Sequence, residues 1–336
     1  MSRGAALAEG KSNILQSVNA ALADALAEDE TVLVLGEDIG DAEEGGVVGV
    51  TRGLSTRFGE HRVRTTPISE QAIIGAAIGA SLAGFKPVAE IMLMNFTTVA
   101  MDMIVNHAAK LRFMSGGQTN VPIVIRTMTG TGFGSGGQHC DYLEAWFAHT
   151  AGIKVVAPSS PADAYGLMRS AIDDPDPVLF IENLPTYWNQ ADAAPAGHRV
   201  PIGKAHVLAE GHDVTILAYA RMIQEATPAI AQLAEAGISA ELIDLRTIAP
   251  WDRETVLASV ARTGRLLIVH EAVTPFGVGA EIAATIGEAL FGKLAAPIKR
   301  LGGAFCPVPF SKPLETAFAP RTADIVAAAR QLVGHR

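Results

Sequence analysis

Three residues of this chain are placed for chemistry: Glu70, His139 and Glu37. Glu70 closes the run Thr65-Thr66-Pro67-Ile68-Ser69-Glu70, and residues 72–84 after it are nearly all Ala, Ile, Gly and Leu. Ser69 reads as a helix N-cap whose hydroxyl accepts from the free amides of the first turn. The helix it opens is apolar on every side, which predicts burial rather than amphipathic packing. Gly75, Gly79 and Gly84 leave room for another backbone to approach. A carboxylate at the mouth of a buried element is costly unless it is paired or handles a proton. The competing reading is electrostatic, because any helix favours Glu in its first turn.

His139 ends a glycine-rich loop over 130–139. Gly132-Phe133-Gly134-Ser135-Gly136-Gly137 has the letters of a dinucleotide fingerprint and follows a strand pattern. A true fingerprint opens its helix within the glycines, so that helix amides meet the pyrophosphate. Here the next helical pattern starts near Tyr142, and no acidic residue ends a following strand at the required distance. The loop reads better as one that presents an imidazole, and a structural histidine is the alternative. Cys140 follows His139 directly, and adjacent residues of extended chain point to opposite sides, so the two do not form a nucleophile pair. Phe96 lies just past a strand, where an aromatic is either core or one wall of a ligand cleft. Glu37 and Asp38 follow the first strand and are either caps or site residues. Zinc-site spacing, a Walker motif and G-x-S-x-G are all absent.

The elements that position these residues alternate in type. Strand patterns fall at 31–35, 87–93, 121–126, 153–157 and 178–182, with helical patterns at 12–28, 69–82, 97–114 and 161–173. Continuous apolar strands separated by helices predict an α/β fold with a parallel sheet covered on both faces. Ligands of such sheets bind beyond the carboxyl ends of the strands, where 36–40, 95–96 and 130–139 fall. Residues 184–201 are aperiodic and proline-bearing and read as a linker. The alternation then restarts, with strands at 214–218, 240–245, 265–270 and 298–301, helices at 221–236, 252–262 and 279–290, and a terminal helix at 321–334. The chain is thus read as two doubly wound domains, 1–185 and a smaller 203–336, joined by 186–202.

At 336 residues two domains are the natural expectation. Half of the residues are hydrophobic (49%), which points to extensive burial and an obligate partner surface. No apolar run reaches a bilayer-spanning length, and residues 1–11 carry neither a signal core nor a transit-peptide pattern. Two cysteines give no disulfide framework and fit a reducing cytoplasm. A net charge of −9 without a Lys/Arg cluster argues against nucleic acid.

Collinear segments across nearly the whole chain resemble the β subunit of a thiamine-diphosphate-dependent 2-oxo acid dehydrogenase E1 component, of the transketolase-like superfamily. They include RVRTTPISEQ at 62–71, AAKLRFMSGGQ at 108–118, GGQHCDYLEAWFAH at 136–149, IDLRTIAPWD at 243–252 and CPVPFSKPLE at 306–315. The resemblance implies a transketolase-like pyrimidine-binding domain followed by a transketolase C-terminal-like domain. It implies that Glu70 bonds N1′ of the cofactor's aminopyrimidine and favours the imino tautomer that deprotonates thiazolium C2. By the same resemblance Phe96 packs on the pyrimidine, Ile68 and Met92 fall at neighbouring contact positions, and Glu37 belongs to a polar network between paired sites. His139 matches the histidine that serves the substrate carboxylate or an incoming lipoyl group. Main-chain carbonyls of Ile123, Ala171, Asp174 and Asp176 match a structural potassium site.

The G-D-G segment that grips diphosphate and Mg²⁺ in related sites is missing from this chain. The resemblance therefore implies an α subunit that holds the diphosphate and Mg²⁺ in an α2β2 assembly. It also implies acyl transfer from a small 2-oxo acid, or acetoin, to a lipoyl-bearing E2 in the cytoplasm. His139-Cys140-Asp141-Tyr142 and Glu182-Asn183-Leu184-Pro185-Thr186-Tyr187 depart from the common pattern near the expected substrate entrance, while GGVVGVT at 45–51 leans toward acetoin-dehydrogenase β subunits. The alternatives are a non-catalytic β-like scaffold and a carboligase or lyase built on the same α/β pair without E2.

Overall fold

A computed structural model describes residues 10–334, so residues 1–9, part of the stretch read for targeting signals, lie outside it. The chain divides into two compact units. The first takes the residues up to Thr129 together with Trp146–Ile202, and the second takes Gly130–Ala145 with the residues from Gly203 onward.

In the first unit a parallel sheet runs in the order Lys154–Val156, Val178–Asn183, Val124–Thr129, Lys86–Leu93, Val32–Glu37, Val63–Thr66. The strands are apolar on both sides because both faces are covered. Val88, Val124 and Phe180 join helices Ile14–Glu28 and Pro161–Asp173 in one core layer, and the intervening Ala89, Ile125 and Leu179 are equally buried. The last strand of the order, Val63–Thr66, has no counterpart in the sequence reading. It is four residues long with an exposed Arg64, as suits an edge.

Two expectations need correction. Residues 97–114 do not form one helix: a 3₁₀ turn covers Met94–Thr98, a π-helix Met103–Ala108 and a short α-helix Leu111–Met114. Thr97 and Thr98 donate their hydroxyls to the carbonyls of Met94 (2.6 Å) and Asn95 (2.8 Å), the local bonding with which such residues compete against a regular helix. Residues 186–202 are not a free connector either. Tyr187 and Val200 are buried, and Ala191–Asp192 pairs with Lys11–Ser12. Val200 and His198 fill the space left by the missing side chain of Gly166.

The second unit has a sheet in the order Lys299–Gly303, Leu266–Val273, Val214–Ala218, Ala240–Asp244, His206–Ala209, parallel except at the last pairing. Helices Met222–Glu235 and Thr322–Gly334 pack on it around Ile216, Leu267 and Val269, among others. The α/β class read from the alternation is the class observed. Among the described residues no helix is long and apolar enough to cross a membrane.

Candidate functional site

Three neighbouring parallel strands, Lys86–Leu93, Val32–Glu37 and Val63–Thr66, end at one edge of the first unit's sheet. Glu37 is the last residue of its strand and lies in register with Thr66. Four residues after Thr66 comes Glu70, the first residue of helix Glu70–Leu82. Met92 and Phe96 lie at and just beyond the end of the third strand. The fold therefore brings Glu37, Ile68, Glu70, Met92 and Phe96 to one sheet edge, where open α/β sheets bind ligands.

Glu70 is half-buried. Ser69 is the N-cap residue, but its side chain makes no capping bond, which corrects the expected hydroxyl cap. The first-turn amides therefore lack that partner. The helix is not wrapped on every side within this chain: Ile73, Ile74, Ala77, Ile78 and Ser81 face inward, while Ala72, Ala76, Gly79 and Leu82 are exposed. Among the described residues, and apart from the local backbone, nothing comes within 4 Å of where a side chain at Gly79 or Gly84 would start, and one at Gly75 would meet the Met103 sulfur at 3.6 Å.

The carboxyl of Glu37 is raised from its ordinary range, first by burial, then by the neighbouring charges of Asp38 and Glu70. Burial and a like charge both disfavour the ionised form of Glu37. Asp38 holds a left-handed backbone (φ 56°), unusual for a residue other than glycine, and turns the chain sharply after Glu37. Thr66 Oγ1 is enclosed and without a hydrogen-bond partner. Ile68 is 76% exposed, and Met92 and Phe96 are half-buried. An aromatic heterocycle with a basic nitrogen needs such a place: a carboxyl to share a proton with that nitrogen, apolar side chains for its faces, and a polar atom still lacking a partner.

His139 belongs to the second unit, on the glycine loop, where its amide donates to the Gly136 carbonyl at 3.1 Å. The loop amides of Gly132 and Gly134 are taken by the Glu315 carboxylate, and the next helix begins at Glu144. Glycine amides already bonded to a carboxylate are not available to a pyrophosphate, which agrees with rejecting the dinucleotide fingerprint. Cys140 is buried and its thiol is pushed up to about 11, first by burial and then by the charge of Glu315, so it is not poised as a nucleophile.

Ile123, Ala171, Asp174 and Asp176 meet around the turn that follows helix Pro161–Asp173. The Ile123 carbonyl accepts from Val178 (3.0 Å) and the Ala171 carbonyl from Asp174 (3.3 Å). Both aspartate side chains are engaged: Lys154 bonds Asp174 at 2.6 and 2.7 Å and Asp176 at 3.3 Å, and Arg112 bonds Asp176 at 2.5 Å. Burial would raise Asp176, but these two cations hold it below the usual carboxylate range. Among the described residues no His/Cys/Asp/Glu group is arranged to hold a metal.

The sequence reading gave no role to Thr66, Glu271 or Glu315. Glu271 had a visible signal, since a carboxylate in the apolar run Leu266–Val273 needs a partner.

Comparison with known proteins covers most of the chain. The family "Transketolase, pyrimidine binding domain" matches residues 11–187 and "Transketolase, C-terminal domain" matches 203–325. The β subunit of acetoin:2,6-dichlorophenolindophenol oxidoreductase from Cupriavidus necator is 43% identical, over 96% of this chain and 97% of its own. The mitochondrial pyruvate dehydrogenase E1 component subunit beta-1 of Arabidopsis thaliana is also 43% identical, over 95% and 88%. The pyruvate dehydrogenase E1 component subunit beta of Staphylococcus epidermidis is 41% identical, over 94% and 97%. A solved structure titled as a split-gene transketolase, an inactive beta4 tetramer, shares the fold at a TM-score of 0.77 and 21% identity, over 96% of this chain and 98% of that one.

Proposed function

The chain belongs to the transketolase-like family of thiamine-diphosphate-dependent E1 β subunits, and on that footing we propose that its strand-edge cluster binds and activates the pyrimidine half of the cofactor. The observation that carries this reading is the convergence of Glu70, Glu37, Ile68, Met92 and Phe96 at the ends of three adjacent parallel strands. When bound, thiamine diphosphate would supply the carbon nucleophile needed at the carbonyl of a small 2-oxo acid or of acetoin. Glu70 holds a proton against N1′ of the pyrimidine, and its half-buried setting strengthens that bond. Phe96, Met92 and Ile68 wall the ring and exclude water from it. Glu37 stands at the end of the neighbouring strand as part of the polar network beside Glu70. His139 orients the substrate carboxylate or receives the lipoyl group.

The enzyme is an oxidoreductase of the 2-oxo acid dehydrogenase E1 type that works with an α subunit. That subunit supplies the diphosphate and Mg²⁺ contacts, in an α2β2 assembly that passes the acyl unit to a lipoyl-bearing E2. The exposed outer face of helix Glu70–Leu82 fits such a partner surface. A potassium ion held by the carbonyls of Ile123, Ala171, Asp174 and Asp176 belongs to the same reading. So does a cytoplasmic location, supported by two free cysteines. Identity is equal to acetoin-type and pyruvate-type relatives, so assay of a panel of 2-oxo acids and acetoin selects the substrate.

The test is Glu70→Gln in the purified α/β complex. Turnover falls by roughly 100-fold or more, the scale of a lost acid–base group, and the circular-dichroism band of the 4′-imino form disappears. Undiminished turnover with a normal band would sink the assignment.

A further inference from the structure

The glycine loop that ends in His139 takes its shape from side chains far away in the sequence. Gly130, Gly132, Gly134 and Gly136 all hold positive φ (122°, 132°, 67° and 74°), so the loop follows neither a helix nor a strand. Two buried carboxylates collect its backbone. Glu315, on helix Lys312–Phe318, accepts from the Gly132 amide at 2.6 Å and from the Gly134 amide at 3.1 Å with each oxygen. Glu271 accepts from the Thr131 amide and hydroxyl, both at 2.7 Å, while Arg221 donates to the Thr131 carbonyl at 2.8 Å. The two carboxylates are 4% and 3% exposed. The apolar side is just as tight. A side chain on Gly136 would start 2.4 Å from the Phe310 ring, and one on Gly137 would start 3.0 Å from Pro307.

Residues 306–315 therefore form a cradle, and Glu315 is its polar anchor. We propose that Glu315 is a positioning residue: by binding the Gly132 and Gly134 amides it fixes the path of the loop and hence the place of the His139 imidazole. The inference rests on the reading of His139 as the group that meets substrate or lipoyl. A carboxylate is the right acceptor because both oxygens accept and neither donates. A glutamine in its place turns an NH₂ toward an amide N–H, leaving two donors facing each other. A displaced imidazole loses the alignment that the reaction needs, and such misplacement costs up to about 100-fold in rate.

The test compares the wild-type and Glu315→Gln α/β complexes by hydrogen–deuterium exchange over peptides spanning 130–141. The same preparations are assayed for acyl transfer and for the 4′-imino circular-dichroism band. The expected result is exchange of the 132–139 amides roughly tenfold faster or more, with acyl transfer down by about 10–100-fold. The imino band stays at the wild-type level, because Glu70 is untouched. Unchanged exchange overturns the proposal, as does faster exchange with undiminished acyl transfer. If Glu315→Gln does not assemble, Glu315→Asp keeps the charge, shortens the reach and is read by the same outcomes. His139→Ala, run in parallel, tests the underlying reading separately. Normal acyl transfer by that variant removes the role of His139 whatever the loop does in Glu315→Gln.

Discussion

Glu144 gives the sharpest stability prediction. Its side chain is fully buried in the second unit, where Oε1 accepts from the Tyr219 hydroxyl at 2.7 Å and Oε2 has no partner. Burial is the largest influence and lifts the carboxyl from 4.5 to about 7, against the lowering bond from Tyr219. The folded protein thus keeps a proton that the unfolded chain has already released. Stability is full below pH 4.5, falls as pH rises through the interval, and is lost in full above 7. At 1.36 kcal/mol per pH unit the loss amounts to about 3 kcal/mol. Glu144→Gln cannot titrate, and its carbonyl still accepts from Tyr219. At pH 5 the variant sits slightly below wild type, because its NH₂ takes the place of the unpartnered oxygen. By pH 8 that order reverses. Thermal unfolding of the α/β complex at pH 5, 6, 7 and 8 reads the crossing directly, at roughly 2–4 °C per kcal/mol. Tyr219→Phe removes the larger of the two lowering hydrogen bonds and extends the wild-type decline to higher pH. Parallel pH curves for wild type and Glu144→Gln would refute the reasoning.

Two further perturbations follow from buried charge. Arg126 lies on the interior strand Val124–Thr129, bonding Glu90 and Glu182 on the two flanking strands, with the Tyr187 hydroxyl on Glu182 at 2.5 Å. Arg126→Met strands two carboxylates and costs about 3–5 kcal/mol in urea unfolding, and adding Glu182→Gln recovers part of it; a loss below about 1 kcal/mol contradicts this. His270 stacks on Tyr219 with Nδ1 at 2.9 Å from the Ala272 carbonyl, and burial holds its imidazole down to about 4. The unfolded chain gains its proton near 6.5, so stability drains as pH falls from 6.5 toward 4, by up to about 3 kcal/mol. His270→Asn flattens that acid limb, and an equally steep limb in the variant speaks against the assignment.

Alternating apolar runs were enough to read the α/β class, and the Ser69-Glu70 pair marked a helix start at its observed place. Local signals failed where distant partners decide. Val63–Thr66, the strand that delivers Glu70, is short, mostly polar and at a sheet edge, so it lacks the apolar run that marks a buried strand. Residues 97–114 have helical spacing, but the threonine hydroxyls bond backward and break the pattern. The apolar outer face of helix Glu70–Leu82 suggested burial, yet this chain alone covers one side of it. Residues 130–145 read as a continuation of the first domain, while Glu271 and Glu315, which gather them into the second unit, stand far along the chain. Composition and periodicity have no access to pairs at that separation.

That separation has a consequence for how the protein is made. Glu37, Glu70 and Phe96 are synthesised early, and the strands that bring them together leave the ribosome as one run. Gly134 must wait for Glu315, 181 residues later. At roughly 5–20 residues per second of translation, that delay is on the order of ten to forty seconds. Throughout it the Gly132 and Gly134 amides lack the carboxylate that gathers them, so the shape of the loop before His139 depends on a late-made part of the chain.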